Sequence, residues 1–514
     1  MQSSALLAID LGTSAIKVVA FDFSGQLLSR RRGETPTTLL ADGRAEHDVD
    51  ALWSVVADLI ATVVADLPAY RIEAVGVASV GEAGVPLDSA GRPVRPAIAW
   101  FDSRGGPEAA WWTREAGSAA VGRITGQAID AHYGVNRLMW MREHEPHAFG
   151  RVRHWLSLAD FVIHRLCGVY ATDFTLASRT MVFDQGHLDW SDELLGLAGL
   201  DRSLLPEVHP SGVCVGTVGK EAAEITHLRW GTLVVTGGHD RLCAAYAARG
   251  KEPLLVDSTG SAEAVVLPIE RYAAPNPAVS GFVACYADVV PGQYVLSARV
   301  GYAGALVDWY WREVRARGVG ANHPTVDAEI DWPLSFSGLL CYPSFGRVLA
   351  PTWDSATASG AILGLTLGHR QSHLLQALIE GVGYSLRANV EWLERCVGRA
   401  IPTIRVEGAL TGSRVWMQLK ADVTGRRVEG LRLEEATALG AALLAGVGAG
   451  IYPDCDAATA VVARDLETWM PTAELAATYS DVFEHGFQRL PRLISEIAVA
   501  LEQAAGHRDR DSGA

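Results

Sequence analysis

The sequence contains no closely spaced cysteine pair. Its seven cysteines, Cys167, Cys214, Cys243, Cys285, Cys341, Cys396 and Cys455, are scattered, and no CxxC unit occurs. An odd, dispersed set excludes a disulfide framework and a structural zinc site, and reads as thiols kept reduced. Basic residues are the minority: 44 Lys and Arg against 59 Asp and Glu leave a formal charge of −15. No basic stripe with interleaved aromatics offsets that balance, so nucleic acid is disfavoured as a partner. Long apolar runs are missing too. The most bilayer-like stretch, Ala438 to Tyr452, has only 15 residues, mostly Ala and Gly, whereas a membrane span takes about 20 strongly apolar ones. The opening Met1-Gln2-Ser3-Ser4 lacks the basic segment that starts a secretory signal. The expectation is a soluble, cytoplasmic protein with no membrane partner. No GxGxxG follows the first strand and no GxxxxGK[ST] loop stands there, which speaks against a dehydrogenase and a Walker-type loop.

What is present is a globular composition: 514 residues, 49% hydrophobic and 20% charged, with Gly and Pro spread along the chain. At roughly 150 residues per domain, that length suggests two to four domains. The first thirty residues alternate short β-rich runs with turns: Ala5–Ile9, Ile16–Phe21 and Leu27–Arg31 read as a three-strand antiparallel meander. Asp48 to Ala65 has helical periodicity, Ala74–Ala78 reads as a buried strand, and Leu233–Thr236 as a strand followed by a helix from about Arg241. Near the midpoint a second strand–turn–strand unit appears: Leu254–Val256, the turn Asp257 to Ser261, and Ala264–Leu267. Two like units half a chain apart fit two related α/β domains flanking a cleft, and they also fit coincidence, because such turns are common. A boundary is expected near residues 243–253, where Gly250 and Pro253 stop the helix. Units of 1–248 and 249–495 follow, with a frayed polar tail over 506–514.

Three clusters carry candidate chemistry. Asp10-Leu11-Gly12-Thr13-Ser14, leading to Lys17, joins a strand to a turn. Glycine exposes backbone N–H groups and the hydroxyls add donors, which suits phosphate oxygens, while Asp10 suits a hydrated Mg²⁺. An ordinary hairpin turn with a surface lysine fits the same residues. Thr236-Gly237-Gly238-His239-Asp240 follows an apolar strand and precedes a run of small residues. Asp240 there is either a helix cap or a general base for an alcohol proton, since phosphoryl transfer needs positioning more than strong basicity. Ser79-Val80-Gly81-Glu82 and Trp100-Phe101-Asp102-Ser103-Arg104 place carboxylates and Arg beside an aromatic. A polyhydroxylated ligand needs such groups, and solvated loops contain them too.

Further segments run in a recognisable order. Tyr133 through Pro146 carries Arg137-Leu138, Trp140 and Arg142-Glu143-His144-Glu145-Pro146. Next come Gly360, Ile362, Gly364-Leu365, His373-Leu374, Ala377 and Ile379-Glu380, with Leu378 off-pattern. Gly408-Ala409, Trp416, Gln418, Ala421-Asp422, Gly425 and Val428 follow, and then Glu435 with Ala438 to Ala442. Over about its first 490 residues the chain resembles the FGGY carbohydrate kinases, which include xylulokinases, glycerol kinases and fuculokinases. Arg137 stands where that family usually has lysine.

The resemblance implies an α/β fold of two actin-like (ribonuclease H-like) domains closing over Mg-ATP and a sugar or polyol. The first domain would hold the acceptor and base, the second the nucleotide. Asp240 would accept the proton of a primary hydroxyl, and Asp10 and Asp240 would lie near Mg²⁺. Gly12, Thr13, Ser14, Lys17, Thr259 and Gly260 would serve the phosphates, and Gly304, Gly408 and Ala409 the nucleotide pocket. Glu82, Trp100, Asp102 and Arg104 would meet the acceptor, Glu82 falling where glycerol kinases carry Glu and xylulokinases His. Arg241 replaces the Asn usual in xylulokinases, Glu407 replaces a glycine, and His239 resembles fuculokinase-like members. The implied activity is ATP-dependent phosphorylation of a short ketose or sugar alcohol, in a protein that could form a homodimer. The competing reading is a nucleotide-dependent sugar-sensing or regulatory protein on the same scaffold. Whether ADP release depends on added sugar separates the two.

Overall fold

The computed structural model describes residues 3–40, 43–250, 254–274, 283–315, 325–345, 360–494 and 496–497. Pro253 and the expected tail 506–514 lie outside the described residues.

The first sheet contains β1 (Ser3–Leu11), β2 (Ala15–Phe21), β3 (Leu27–Glu34), β4 (Tyr70–Ser79), β5 (Cys214–Thr217) and β6 (Leu233–His239), in the order β5-β6-β4-β1-β2-β3. β1, β2 and β3 form the antiparallel meander, while β4 and β6 run parallel to β1. β1 reads as a continuous apolar run because both of its faces are covered. Ala5, Leu7, Ile9 and Leu11 join one core, and Leu6 and Ala8 join the other. Helix α1 (Val49–Asp66) covers the first face with Leu52, Trp53, Val56, Ile60 and Val63. It starts where it does because the Asp48 carboxylate accepts from the N–H groups of Asp50 and Ala51, at 3.1 and 3.0 Å.

Two further helices of this half, α2 (Gly106–Glu115) and α3 (Gly134–His144), lie beyond the strand ends, and α4 (Asp240–Arg249) continues directly from β6. The second sheet repeats the first. β7 (Leu255–Thr259) is flanked by an antiparallel set, β8 (Ala262–Ile269), β9 (Val283–Ala287) and β10 (Tyr294–Tyr302), and by parallel β11 (Thr403–Gly408) and β12 (Arg427–Leu431). Antiparallel β13 (Leu466–Trp469) closes the edge, giving the order β9-β10-β8-β7-β11-β12-β13. Both sheets thus have a central strand, a meander on one side, two parallel strands on the other and an antiparallel edge. The actin-like α/β pair expected from the sequence is present. Helices α5 (Gln371–Val397) and α6 (Arg414–Thr424) help cover the second sheet.

Each strand–turn unit is tighter than the sequence suggests. β1 runs through Asp10 to Leu11, and β7 through Asp257 to Thr259, because both are paired on two sides up to those residues. Only Gly12–Ser14 and Gly260–Ser261 remain as turns.

The halves are interlocked. Helix α7 (Ala436–Gly448), from the second half, lies on β1, β4 and β6 of the first sheet, while α4 packs on α7, β7 and β11. The Ala- and Gly-rich stretch that resembles a short bilayer segment is therefore a buried core helix. Gly440 makes the close approach possible: a Cβ there would penetrate the Cys243 carbonyl of α4. The far end of α4 is held by Arg405, which donates to the Ala248 and Arg249 carbonyls at 3.3 and 2.9 Å. Arg464 donates to that of Ala247 at 3.0 Å. Along another seam, the Cys285 N–H of β9 donates to the Gly126 carbonyl at 2.8 Å, and the Ala287 N–H to Gln185 at 2.9 Å.

Gly→Ala inside a helix ordinarily gains about 1 kcal/mol of helix propensity. Gly440→Ala is expected instead to destabilise by about 1–3 kcal/mol, through overpacking against α4. Denaturant unfolding of the two proteins measures this, and a stabilised variant would show that α4 and α7 separate at no cost.

Candidate active site

The first site elements stand in a row because their strands are parallel. Leu11, Ser79 and His239 lie abreast at the carboxyl ends of β1, β4 and β6. The turn Gly12–Ser14, the segment Val80–Glu82 and the start of α4 at Asp240 therefore emerge side by side, on the edge where open α/β sheets bind ligands. The Gly12 N–H donates to Ala15 O at 3.0 Å, closing the first turn. Ser14 is exposed. Lys17 faces Asp10 across the β1–β2 ladder, with Nζ 3.7 Å from its carboxylate and 2.7 Å from Glu435, which precedes α7. Burial, reinforced by the negative charges of Asp240 and Glu435, pushes Asp10 up to about 7 despite Lys17. Lys17 is thus already engaged by two carboxylates.

Glu82 sits at a φ of 62°, and its side chain is 6% exposed. Arg179 donates to it through Nε at 2.8 Å and also through its terminal nitrogen. The guanidinium also reaches Gln127 at 2.9 Å and lies over the rings of Tyr133 and Tyr286, 5.1 and 5.8 Å from their centroids. Burial opposes the charge on Glu82, but Arg179 and then His239 outweigh it and hold the carboxyl down to about 2. Next to it, His239 donates its backbone N–H to Thr175 Oγ1 at 2.8 Å. Its Nδ1 lies 3.3 Å from Asp240 Oδ1. Burial lowers His239 to about 4, so the imidazole is neutral near pH 7. The Asp240 side chain is 29% exposed, the most open carboxylate of the group, and accepts the Arg241 N–H at 2.6 Å.

Trp100 joins the two clusters: its Nε1 donates to Thr13 Oγ1 at 2.8 Å. Asp102 and Arg104, by contrast, are occupied with each other. Asp102 is 1% exposed and accepts from Arg104 Nε, the other guanidinium nitrogen and the backbone N–H at 2.9, 2.8 and 2.9 Å, and from the Ala45 N–H at 2.7 Å. Arg104 also reaches Glu46 at 2.9 Å and lies 4.7 Å from the centroid of Trp140. Asp102 thus accepts four hydrogen bonds and Arg104 is held between Asp102 and Glu46, so this pair is a clamp beside Trp100 whose charges already serve each other. Arg137 completes the clamp by donating to the Ala99 and Trp100 carbonyls at 3.0 and 2.7 Å.

In the second half, Thr259 and Gly408 lie abreast at the ends of β7 and β11. Gly408 has a φ of 109°, and a side chain there would penetrate the Thr259 carbonyl. The Gly304 N–H donates to Gly260 O at 2.9 Å, and Ala409 opens a short 3₁₀ turn beside them. Gly260, Gly304, Gly408 and Ala409 are therefore brought together as a backbone-lined ledge. Thr259 points away from it. Its hydroxyl donates to Glu263 at 2.9 Å, in a buried cluster where Lys420 pairs with both Glu263 and Asp257. Burial raises the carboxyl of Glu407, while the positive charge of Arg241 lowers it and Asp240 raises it. Helix α4, which begins at Asp240, packs on β7 and β11, the two strands that end at the ledge.

Arg179, Gln127 and Tyr286 were not legible as site residues, because only the fold brings them to Glu82. A cavity of about 480 Å³ is lined by Ser4, Arg71, Trp230 and Leu233 among others. It lies at the amino ends of the strands, the opposite edge from these residues.

Residues 5–247 match the N-terminal domain, and residues 259–449 the C-terminal domain, of the FGGY family of carbohydrate kinases. The chain belongs to this family. A glycerol kinase of Methylibium petroleiphilum is 31% identical over 475 residues, covering 88% of this chain and 92% of that one. Among solved structures, a xylulose kinase from Rhodospirillum rubrum is 26% identical, with a TM-score of 0.86 and coverage of 95% and 99%. A ligand-bound xylulose kinase from Lactobacillus acidophilus has a TM-score of 0.87 at 21% identity, with coverage of 95% and 98%, a likeness of fold. This FGGY protein is accordingly a carbohydrate kinase, a phosphotransferase with an alcohol acceptor. No helix among the described residues of the kinase is long and apolar enough to cross a membrane.

A carboxyl held down to about 2, against 4.5 ordinarily, contributes stability that is complete above about pH 4.5 and lost as the pH falls through about 2. Glu82→Gln leaves the buried Arg179 charge without its counter-ion and is expected to cost the kinase about 3 kcal/mol at neutral pH. The gap to the wild type should narrow as the pH is lowered below about 4.5. Unfolding midpoints measured across that range test this, and a gap independent of pH would detach the ion pair from the stability of the fold.

Proposed function

We propose that this kinase transfers the γ-phosphoryl group of ATP to a hydroxyl of a short ketose or sugar alcohol, with Asp240 as general base. The observation that carries the reading is the row of Gly12–Ser14, Glu82 and Asp240 on three adjacent parallel strands, opposite the backbone ledge of the second half. Residues 1–248 would carry acceptor and base, and 249–495 the nucleotide. Glu82, oriented by Arg179, accepts hydrogen bonds from acceptor hydroxyls. Trp100, held by Arg137 and the Asp102–Arg104 clamp, presents its ring to the C–H face of the acceptor while its N–H fixes Thr13. Asp102 and Arg104 then act through Trp100 and do not touch the acceptor.

Asp240 takes the hydroxyl proton as the oxygen attacks phosphorus in line. His239, neutral and anchored through Thr175, lies beside the Asp240 carboxylate. The backbone N–H groups near Gly12, Thr13, Ser14, Gly260, Gly304 and Gly408, with Ala409 alongside, suit phosphate oxygens and the nucleotide. Lys17 and Thr259 would contribute by fixing those turns, given the partners they already have. The negative charge of Asp240 helps to raise Asp10, an opposition that a divalent cation would relieve. Both residues would hold Mg²⁺, which when bound offsets charge on the phosphate oxygens.

A coupled ADP-release screen with Mg-ATP against ketopentoses, 6-deoxyketohexoses, tetruloses, glycerol and pentitols tests the proposal. Acceptor-dependent ADP release with one of these compounds is expected. For that acceptor, Asp240→Asn should lower kcat by about 100- to 10,000-fold while ATP and acceptor still bind. Near-normal turnover of the variant would remove Asp240 from the base role. ATP binding with no acceptor-dependent release across the panel would remove the proposed acceptor class.

A further inference from the structure

Beyond the cleft, the loop that carries Trp100 and Arg104 leads into α2, and α3 packs beside it. Between these helices lies a polar cluster that the kinase reaction does not use. One oxygen each of Glu108 and Glu143 and one imidazole nitrogen of His144 all lie within 4.8 Å of one another. Glu108, on α2, is only 4% exposed, yet neither of its carboxylate oxygens has a hydrogen-bond partner among the described residues. A buried carboxylate without donors is costly, and native folds seldom leave one so. Glu143 and His144, the last two residues of α3, are exposed and so able to adjust toward it.

His144 is already set up for a ligand. Its Nδ1 donates to the Trp140 carbonyl at 3.0 Å, because a carbonyl oxygen can only accept. Nε2 therefore keeps its lone pair, the tautomer that a backbone carbonyl imposes on many metal-bound histidines. The ring is also stacked on Trp140, with centroids 4.9 Å apart and planes 10° from parallel. Two carboxylates and one imidazole with room for water suit a first-row divalent cation better than Ca²⁺, which prefers oxygen donors alone. Bound at about 2.0–2.2 Å from each ligand, such an ion draws the three atoms slightly together.

We propose that Glu108, Glu143 and His144 form a binding site for a first-row divalent cation of the Zn²⁺ type, separate from the phosphoryl-transfer centre, that ties α2 to the end of α3. The site connects to the acceptor side through Trp140, which lies between His144 and Arg104. It also connects through α3 itself, whose Arg137 holds the Trp100 carbonyl. The cation thus adds a tie to the segment that carries Trp100.

The test is titration of the metal-stripped, full-length protein with Zn²⁺, followed by calorimetry and by tryptophan fluorescence, since Trp140 stacks on one of the ligands. The wild type is expected to bind one more equivalent than His144→Ala, and its thermal midpoint to rise with Zn²⁺ where that of the variant does not. Glu108→Gln and Glu143→Gln should each weaken binding at that equivalent by about tenfold or more. His144 and Glu143 are exposed, so those variants keep the test open if Glu108→Gln does not fold. Zn²⁺ stoichiometry and affinity unchanged in the His144 and Glu143 variants, or no Zn²⁺ binding by the wild type, would overturn the proposal. None of these readouts depends on kinase turnover, so they stand apart from the identity of the acceptor.

Discussion

The architecture depends on two helices lying closer together than side chains usually allow. At Gly440 the backbone of α7 meets the Cys243 carbonyl of α4 with no space for a methyl group. That contact places α4, whose first residue is Asp240, between the two sheets. It also places α7 behind β1, β4 and β6, the strands whose ends carry Gly12–Ser14, Glu82 and Asp240. Because Glu435 at the head of α7 reaches back to Lys17, the helix that supports the first sheet also fixes the side chain next to Asp10. One close-packed crossing therefore sets the position of elements more than 400 residues apart in sequence. Rigid packing of this kind transmits displacement rather than absorbing it.

Around this frame, buried ions do the local positioning. Glu82–Arg179, Asp102–Arg104–Glu46 and Asp257–Lys420–Glu263 each sit under or beside one turn of the cleft. Removing such charges from water costs several kcal/mol per ion, and the mutual attraction returns only part of it. Apolar replacements would hold the fold as well or better. What the ions supply is direction: a bidentate guanidinium fixes the plane of a carboxylate in a way that methyl groups cannot. In the third cluster, two carboxylates share one ammonium, and burial together with Glu263 raises Asp257 above the ordinary carboxylate range despite Lys420. The hydroxyl of Thr259 is drawn into that cluster, which leaves its backbone, not its side chain, beside Gly408.

The strand–turn units could be read from the sequence because they are local. Apolar runs ending in Asp10-Leu11-Gly12-Thr13-Ser14 and in Asp257 to Ser261 mark strands and turns wherever they occur. Their repetition half a chain apart fitted paired α/β domains and coincidence alike, and the family resemblance was what implied the pair. Two things were hidden. Tertiary pairing extends β1 and β7 through residues assigned to the turns. The residues that complete each local cluster also come from far away: Arg179 is 97 positions from Glu82, and Lys420 is 163 from Asp257. No periodicity links such partners. Asp102 and Arg104 illustrate the converse. Their polarity beside Trp100 suggested ligand contact, but two opposite charges two residues apart at a strand end can satisfy each other first.

Glu82 occupies a backbone conformation that glycine adopts freely and other residues enter at a cost of about 1 kcal/mol or more. The position is consequently narrow ground for evolutionary change. Glycine would relieve the backbone but strand the charge of Arg179, and most other side chains would keep the strain without the ion pair. Change around this ion pair is therefore easier at Tyr133, Gln127 or Tyr286, which surround the same guanidinium from ordinary backbone, than at the carboxylate itself.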